Sequence, residues 1–229
     1  MAKIIGVIGS PGSGSTTVAA QLAMQCAAEK ETVCLILADP LLPPKSYLLK
    51  QPKEESLGSL LAAAELTDKQ LLAAMDAVSA DVGVIGYCVD DKLTNYPAPT
   101  TSSCERLIKK TALCSDTVIV DIGNRLSDRL AIVTIDLCDA LILCVDGSAK
   151  SAAWKAFLPH YEHCTVVANA LLSGRTADAD IFLPFSLDLQ QQAEQFELFD
   201  LYKEKTYRKA LQNLYQKTNV KKKTLTLVR

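Results

Sequence analysis

No apolar run in the 229 residues reaches the roughly 18–20 residues that cross a bilayer, so no membrane-spanning helix is expected. The opening stretch MAKIIGVIGS carries one lysine ahead of an apolar segment. That segment is too short for a secretory leader, and glycines and serines follow at once, so it reads as a buried first strand. Charge of one sign is also lacking. The chain has 24 Lys and Arg against 26 Asp and Glu, a net of −2, which gives no chain-wide footprint for nucleic acid and leaves room only for a local basic patch. The eight cysteines, Cys26, Cys34, Cys88, Cys104, Cys114, Cys138, Cys144 and Cys164, form no CxxC pair. Without such clustering a zinc or iron–sulfur site is not expected. Several lie inside apolar runs and read as small buried hydrophobes in a reducing cytoplasm. Histidine is nearly absent. His160 and His163 flank one turn and read as surface residues, not ligands.

What is present is a chain 49% hydrophobic, ample for a core on two faces. Strand-like and helix-like segments alternate. Strands are predicted at Lys3–Gly9, Thr32–Asp39, Val82–Val89, Thr117–Ile122, Ala140–Val145, Cys164–Asn169 and Ile181–Pro184. Helices are predicted at Thr16–Lys30, Ser56–Glu65, Thr67–Val78, Ser102–Leu113, Ser127–Leu137, Ala149–Leu158, Leu187–Phe196 and Asp200–Thr218. Thr67 with Gln70 three residues on is a capping box. Pro40, Pro43 and Pro44 enforce a loop, and a second proline-containing loop spans 90–101. Continuous apolar strands between helices imply an α/β fold with a mostly parallel central sheet covered by helices on both faces. Ligands of such sheets bind at the carboxyl ends of the strands. The one composition shift divides a unit at 1–218 from a basic tail at 219–229.

After the first strand comes Gly9-Ser10-Pro11-Gly12-Ser13-Gly14-Ser15-Thr16-Thr17. Its frame matches the phosphate loop G-x-x-x-x-G-K-[ST], with Ser15 in the lysine slot. Glycines let the backbone curl so that N–H groups face inward, and the following helix adds free N–H groups and the positive end of its dipole. Thr16 sits where a hydroxyl ligates Mg²⁺ beside phosphates. The plainer alternative is a glycine-rich turn that binds nothing.

With these residues in place the chain resembles the MinD/ParA class of P-loop ATPases, whose deviant Walker A motif reads K-G-G-x-G-K-[ST]-[ST]. The matching stretch here is Ser10 to Thr17, and both family lysines, at Ser10 and Ser15, are serine. The first is the lysine that in the family reaches across a dimer to the partner's nucleotide. Leu37-Ala38-Asp39-Pro40 resembles the family's D-x-D-P, keeping Asp39 and replacing the first acid by Leu37. Thr117–Gly123 (TVIVDIG) resembles the Walker B strand, with Asp121 as the acid of the Mg²⁺ shell. Val166-Val167-Ala168-Asn169 is similar to the strand whose terminal Asn reads adenine, and Leu183-Pro184-Phe185 to a later "iPyd"-like segment. The layout of the middle is similar to the CpaE/TadZ branch, the pilus-assembly localisation proteins, whose receiver-like domain has no counterpart in these residues.

The resemblance implies the three-layer P-loop NTPase fold and a site for ATP or ADP with Mg²⁺. Gly9, Ser10, Gly12, Ser13, Gly14, Ser15, Thr16, Thr17 and Asn169 would hold the nucleotide, and Thr16, Asp39 and Asp121 the metal. The plain reading of those metal candidates is helix capping and strand-end solvation. Each missing lysine removes charge-assisted bonds worth roughly 1.5–3 kcal/mol, and a cation at transferring phosphoryl oxygens is worth about 10³–10⁵ in rate. Three readings follow. The first is a degenerate ATPase acting as a cytoplasmic positioning or scaffold factor, binding nucleotide weakly, as a homodimer with a protein partner of an assembly system. The second is an active ATPase with a substitute cation, Lys45 or Lys150. The third is a nucleotide-free interaction module.

The tail carries Lys217, Lys221, Lys222, Lys223 and Arg229 without an acid, which suits peripheral contact with an anionic membrane. Tyr207, Leu211, Leu214, Tyr215 and Thr218 fall at helical spacing before it, and that face is expected to pack on the domain. Thr224–Val228 (TLTLV) alternates and is the alternative, an edge strand.

Overall fold

The computed structural model describes residues 2–89, 95–159, 161, 164–171 and 177–219. The expectations for His160, His163, 90–94 and the tail from 220 onward lie outside the described residues.

The order of elements is β1 (Lys3–Gly9), α1 (Ser15–Ala28), β2 (Val33–Leu37), α2 (Pro44–Leu48), α3 (Leu57–Ala62), α4 (Asp68–Ala74), β3 (Asp76–Ala77), β4 (Val82–Gly86), α5 (Thr101–Ala112), β5 (Thr117–Gly123), α6 (Arg129–Leu137), β6 (Ala140–Val145), α7 (Ala149–Phe157), β7 (Cys164–Leu171), β8 (Ile181–Pro184), α8 (Leu187–Glu194) and α9 (Lys205–Thr218). Among the described residues the strands form one eight-stranded sheet in the order β3-β4-β2-β5-β1-β6-β7-β8. Every pairing is parallel except that of β3 with β4.

Side chains alternate across a strand, and here both faces are dry. Ile5, Val7, Leu35, Leu37 and Ile119 join one core with α1 and α9, while Ile8, Cys34, Ile36, Val118 and Val120 join the other with α3 to α6. That two-sided burial is why the strands read as unbroken apolar runs. Five of the eight cysteines are buried, with Cys114 exposed and Cys88 and Cys164 between. Tyr207, Leu211 and Leu214 turn the apolar face of α9 into the first core, as expected. Glu204, not Asp200, starts that helix, its carboxylate accepting the N–H groups of Thr206 and Tyr207. Among the described residues no helix is long and apolar enough to cross a membrane.

Two local differences from the sequence reading matter for the site. The proline-rich loop after β2 contains a short helix, α2, which starts at Pro44 because proline fits the first turn of a helix. The helix predicted over Thr67–Val78 keeps its capping box at Thr67 and Gln70 but stops at Ala74. Asp76 is drawn instead into β3, where its Oδ1 accepts the Lys53 N–H at 2.8 Å and its Oδ2 lies 2.9 Å from Lys45 Nζ.

Candidate functional site

Register decides which side chains meet. Val7 of β1 and Leu37 of β2 both pair with Asp121 of β5, so the three strands end together. The loop after Gly9, Asp39 after β2 and Asp121 therefore converge at one edge of the sheet, the carboxyl edge.

The loop itself needs its glycines. Gly12 and Gly14 have φ of 84° and 75°, a region side chains rarely adopt. Added at Gly14, a Cβ would also collide with Asn169 Nδ2. Ser13 N–H closes the turn on the Ser10 carbonyl at 2.9 Å, and Val18 N–H bonds the Gly14 carbonyl at 3.0 Å. Among the described residues nothing accepts the amide N–H of Gly12, Gly14, Ser15, Thr16 or Thr17. Those donors and the N-terminus of α1 border a cavity of about 770 Å³, within the usual size of ligand sites. Asp39, Leu42, Tyr47, Leu48, Gly123 and Asn124 form one wall, and Gln190, Ala193, Glu194, Phe196 and Leu198 the other. Among the described residues no lysine or arginine lines it.

The sequence candidates divide into groups. Gly9, Ser10, Gly12, Gly14, Ser15, Thr16, Thr17 and Asp39 line the cavity. Ser13 is buried, and among the described residues its hydroxyl finds no hydrogen-bond partner. Asn169, implied to read adenine, is buried beside the loop rather than lining the cavity; its Nδ2 donates to the carbonyls of Ser13 (2.8 Å) and Gly14 (3.4 Å). In this geometry Asn169 holds the loop's shape. Ser10, in the slot of the family's first lysine, donates to Ser151 Oγ of α7 at 2.8 Å.

Asp121 lies beneath the cavity, 2% exposed. Burial pushes its carboxyl up to about 6; hydrogen bonds from Thr16, the Gly123 N–H and Ser15 oppose that, and the charge of Asp39 adds to it. The Thr16 hydroxyl donates to Asp121 Oδ2 at 2.6 Å. Asp39 caps its own turn, its Oδ1 accepting the N–H groups of Leu41 (2.9 Å) and Leu42 (3.2 Å). Burial raises the Tyr47 phenol, and Asp121 and Asp39 raise it further. A hydroxyl and two carboxylates are hard oxygen donors, which fit Mg²⁺ shared with phosphate oxygens. Among the described residues no cluster of three His, Cys, Asp or Glu forms a closed metal cage.

The fate of the two candidate substitute cations is opposite. Lys45 is not at the surface. It is fully buried, its Nζ donating to the carbonyls of Lys53 (2.8 Å) and Glu55 (3.0 Å) beside Asp76. A lysine used in that way has no charge to offer the loop. Lys150 is exposed on α7, and its Nζ lies 3.9 Å from where a Cβ on Gly12 would stand.

Sequence reasoning missed the far wall and its support. Gln21, fully buried on α1, donates to the carbonyls of Leu198 (2.7 Å) and Asp200 (3.0 Å) and accepts the Tyr202 N–H (2.9 Å). A glutamine in an alanine-rich helix gives no sequence signal of this. Nor does Tyr47 among prolines.

The architecture matches solved structures over nearly its whole length. A ParA family ATPase from Chlorobium tepidum TLS superposes with a TM-score of 0.77 at 17% identity, covering 94% of this chain and 99% of that one. The fold is that of the ParA and MinD ATPases. A septum site-determining protein MinD complexed with Mg-ADP, from Pyrococcus horikoshii OT3, gives 0.74 at 17% identity, covering 96% and 97%. A putative plasmid partition protein from Borrelia burgdorferi B31 bound to AMPPNP gives 0.63 at 19%, covering 95% and 97%. At these identities the likeness to the ParA and MinD structures is one of fold. No protein-family model matches the chain, and no curated protein matches it.

Proposed function

We propose that the chain binds ATP or ADP with Mg²⁺ in the loop cavity and works as a positioning or scaffold factor with weak or no hydrolysis. The observation that carries this is the cavity's selective chemistry: among the described residues, unbonded amide donors and the Thr16–Asp121 pair are present, and lysine and arginine are absent from its lining. Backbone N–H groups and a helix dipole suffice to bind phosphate. They do not supply the mobile charge that stabilises a transferring phosphoryl group. Leu37 stands where the resemblance implies an acid near the attacking water, and it is fully buried among apolar side chains. Mg²⁺ would be held by Thr16 and Asp121 with Asp39 nearby, where it would neutralise phosphate charge.

In this reading residues 1–218 form the nucleotide unit and act as a cytoplasmic homodimer with a protein partner, in the manner of the CpaE/TadZ pilus-assembly branch. One protein of this fold, MinD of Aquifex aeolicus, has been solved with MinC. Membrane contact would fall to the basic residues of 219–229, because the apolar face of α9 is already packed.

Calorimetric titration with Mg·ATP, together with a phosphate-release assay, tests the reading. Micromolar or weaker binding with turnover near background is expected. Tight binding with brisk turnover would defeat the claim of lost catalysis. The acidic lining contributed by Asp39 and Glu194 favours a second reading, a nucleotide-free interaction module. No heat with ATP or ADP at millimolar concentration would select it.

A further inference from the structure

We propose that Lys150, on α7 just outside the cavity's lining, is the cation that helps hold a bound phosphate at the apex of the loop, a contact that serves binding and not phosphoryl transfer. This rests on the nucleotide-site reading above and goes beyond it by naming the charge that the loop's own sequence lacks. Lys150 Nζ stands 3.9 Å from the position of a Cβ on Gly12. Gly12 is a loop residue whose amide N–H is among those left without an acceptor. Lys150 is exposed, and among the described residues no carboxylate forms an ion pair with it. Its charge therefore stands beside Gly12, a residue that lines the cavity.

The placement is built and not a chance of a long side chain. Ser151, the next residue, is fully buried and its Oγ accepts from Ser10 Oγ at 2.8 Å. The same Oγ accepts the Asp146 N–H at 3.2 Å, while Ser151 N–H bonds the Ser148 hydroxyl that caps the helix. The first turn of α7 is thereby tied to the phosphate loop, with Lys150 beside the tie. Ser10, in a lysine slot, serves as the anchor for the element that brings a lysine back. A lysine there would leave Ser151 Oγ without its Ser10 partner and crowd a position only 2% exposed.

The test uses the full chain as native protein, Lys150→Ala and Lys150→Arg, titrated in low salt with Mg·ATP and, separately, with inorganic tripolyphosphate. The second ligand has no base or sugar, so it isolates the phosphate contact. Loss of one charge-assisted contact predicts that Lys150→Ala weakens both ligands about ten- to hundredfold, whereas Lys150→Arg stays within about threefold. Circular dichroism should be unchanged for both variants. Native-like affinity of Lys150→Ala for both ligands would overturn the role of Lys150 and leave the cradle standing. So would weakening toward ATP with no change toward tripolyphosphate. Failure of the native chain to bind either ligand would overturn the cradle reading and this inference with it.

Discussion

Two buried acids, Asp76 and Asp121, face opposite circumstances. Asp76 has a lysine: Lys45 Nζ lies 2.9 Å away, wholly inside the protein, and also donates to the carbonyls of Lys53 and Glu55 and to Cys88 Sγ. Asp121 has hydroxyls and an amide but, among the described residues, no cation, and burial leaves its carboxyl raised to about 6. The first acid belongs to structure. It joins α2 to β3 and ends α4 early. The second is left short of positive charge, as suits a group that meets a cation only when ligand arrives. Proteins seldom bury a carboxylate without compensation, so the contrast separates scaffold from site without reference to any motif.

The comparison breaks most visibly at Lys45. Lys45→Met keeps the stem and strands Asp76, so urea unfolding should show a loss of about 3–5 kcal/mol. Adding Asp76→Leu should recover most of it. If the single variant is as stable as the native chain, the pair is not structural and the contrast collapses.

Asp121→Asn should act in the other direction. Between the ordinary carboxylate value of 3.8 and about 6, folded Asp121 keeps a proton that the unfolded chain has released. Stability therefore falls as pH rises through that window and stays lower above it. Asn removes the cost, so at pH 7 the variant should be more stable by up to roughly 3 kcal/mol. The gain should vanish near pH 4. Thermal melts across pH 4 to 7.5 would check it, and a pH-independent gain would refute the cause given.

Gly14→Ala sharpens the site half of the contrast, because Ser15 and Thr16 reach Asp121 only through the loop's curl. With φ at 75° and Asn169 Nδ2 in the way, it should cost about 1–3 kcal/mol and abolish phosphate binding. Chemical denaturation paired with ligand titration would show both. The smallest effect is expected at Lys150. An exposed side chain with no acidic partner among the described residues should change stability by less than about 0.5 kcal/mol when cut to alanine. A larger loss would mean that it supports α7 and not a ligand.

The fold was largely legible because buried parallel strands announce themselves. TVIVDI and ALILCV are apolar on both faces, and the loop glycines mark where the first strand ends. Thr16 and Asp121 were legible too, since spacing and strand register together fix their meeting. Lys45 was not. A lysine among prolines gives no sign that it will be buried, and its partner lies on an edge strand hidden inside a helical pattern. Asn169 was legible as a residue late in its strand, though β7 runs on to Leu171 instead of ending there, and its orientation was not legible: whether it faces a base or the loop backbone depends on a side-chain torsion, which sequence does not carry.

The Gln21 clamp turns α1 into a rod with the phosphate loop at one end and a grip at its middle. Its first residues present the amides of the phosphate loop, and its middle holds Leu198, Asp200 and Tyr202 by three hydrogen bonds. A ligand that draws the loop inward by a fraction of an ångström must drag the segment between α8 and α9 along with it. Whatever rests on the outer side of that segment would then feel occupancy as mechanical displacement, with no chemistry performed.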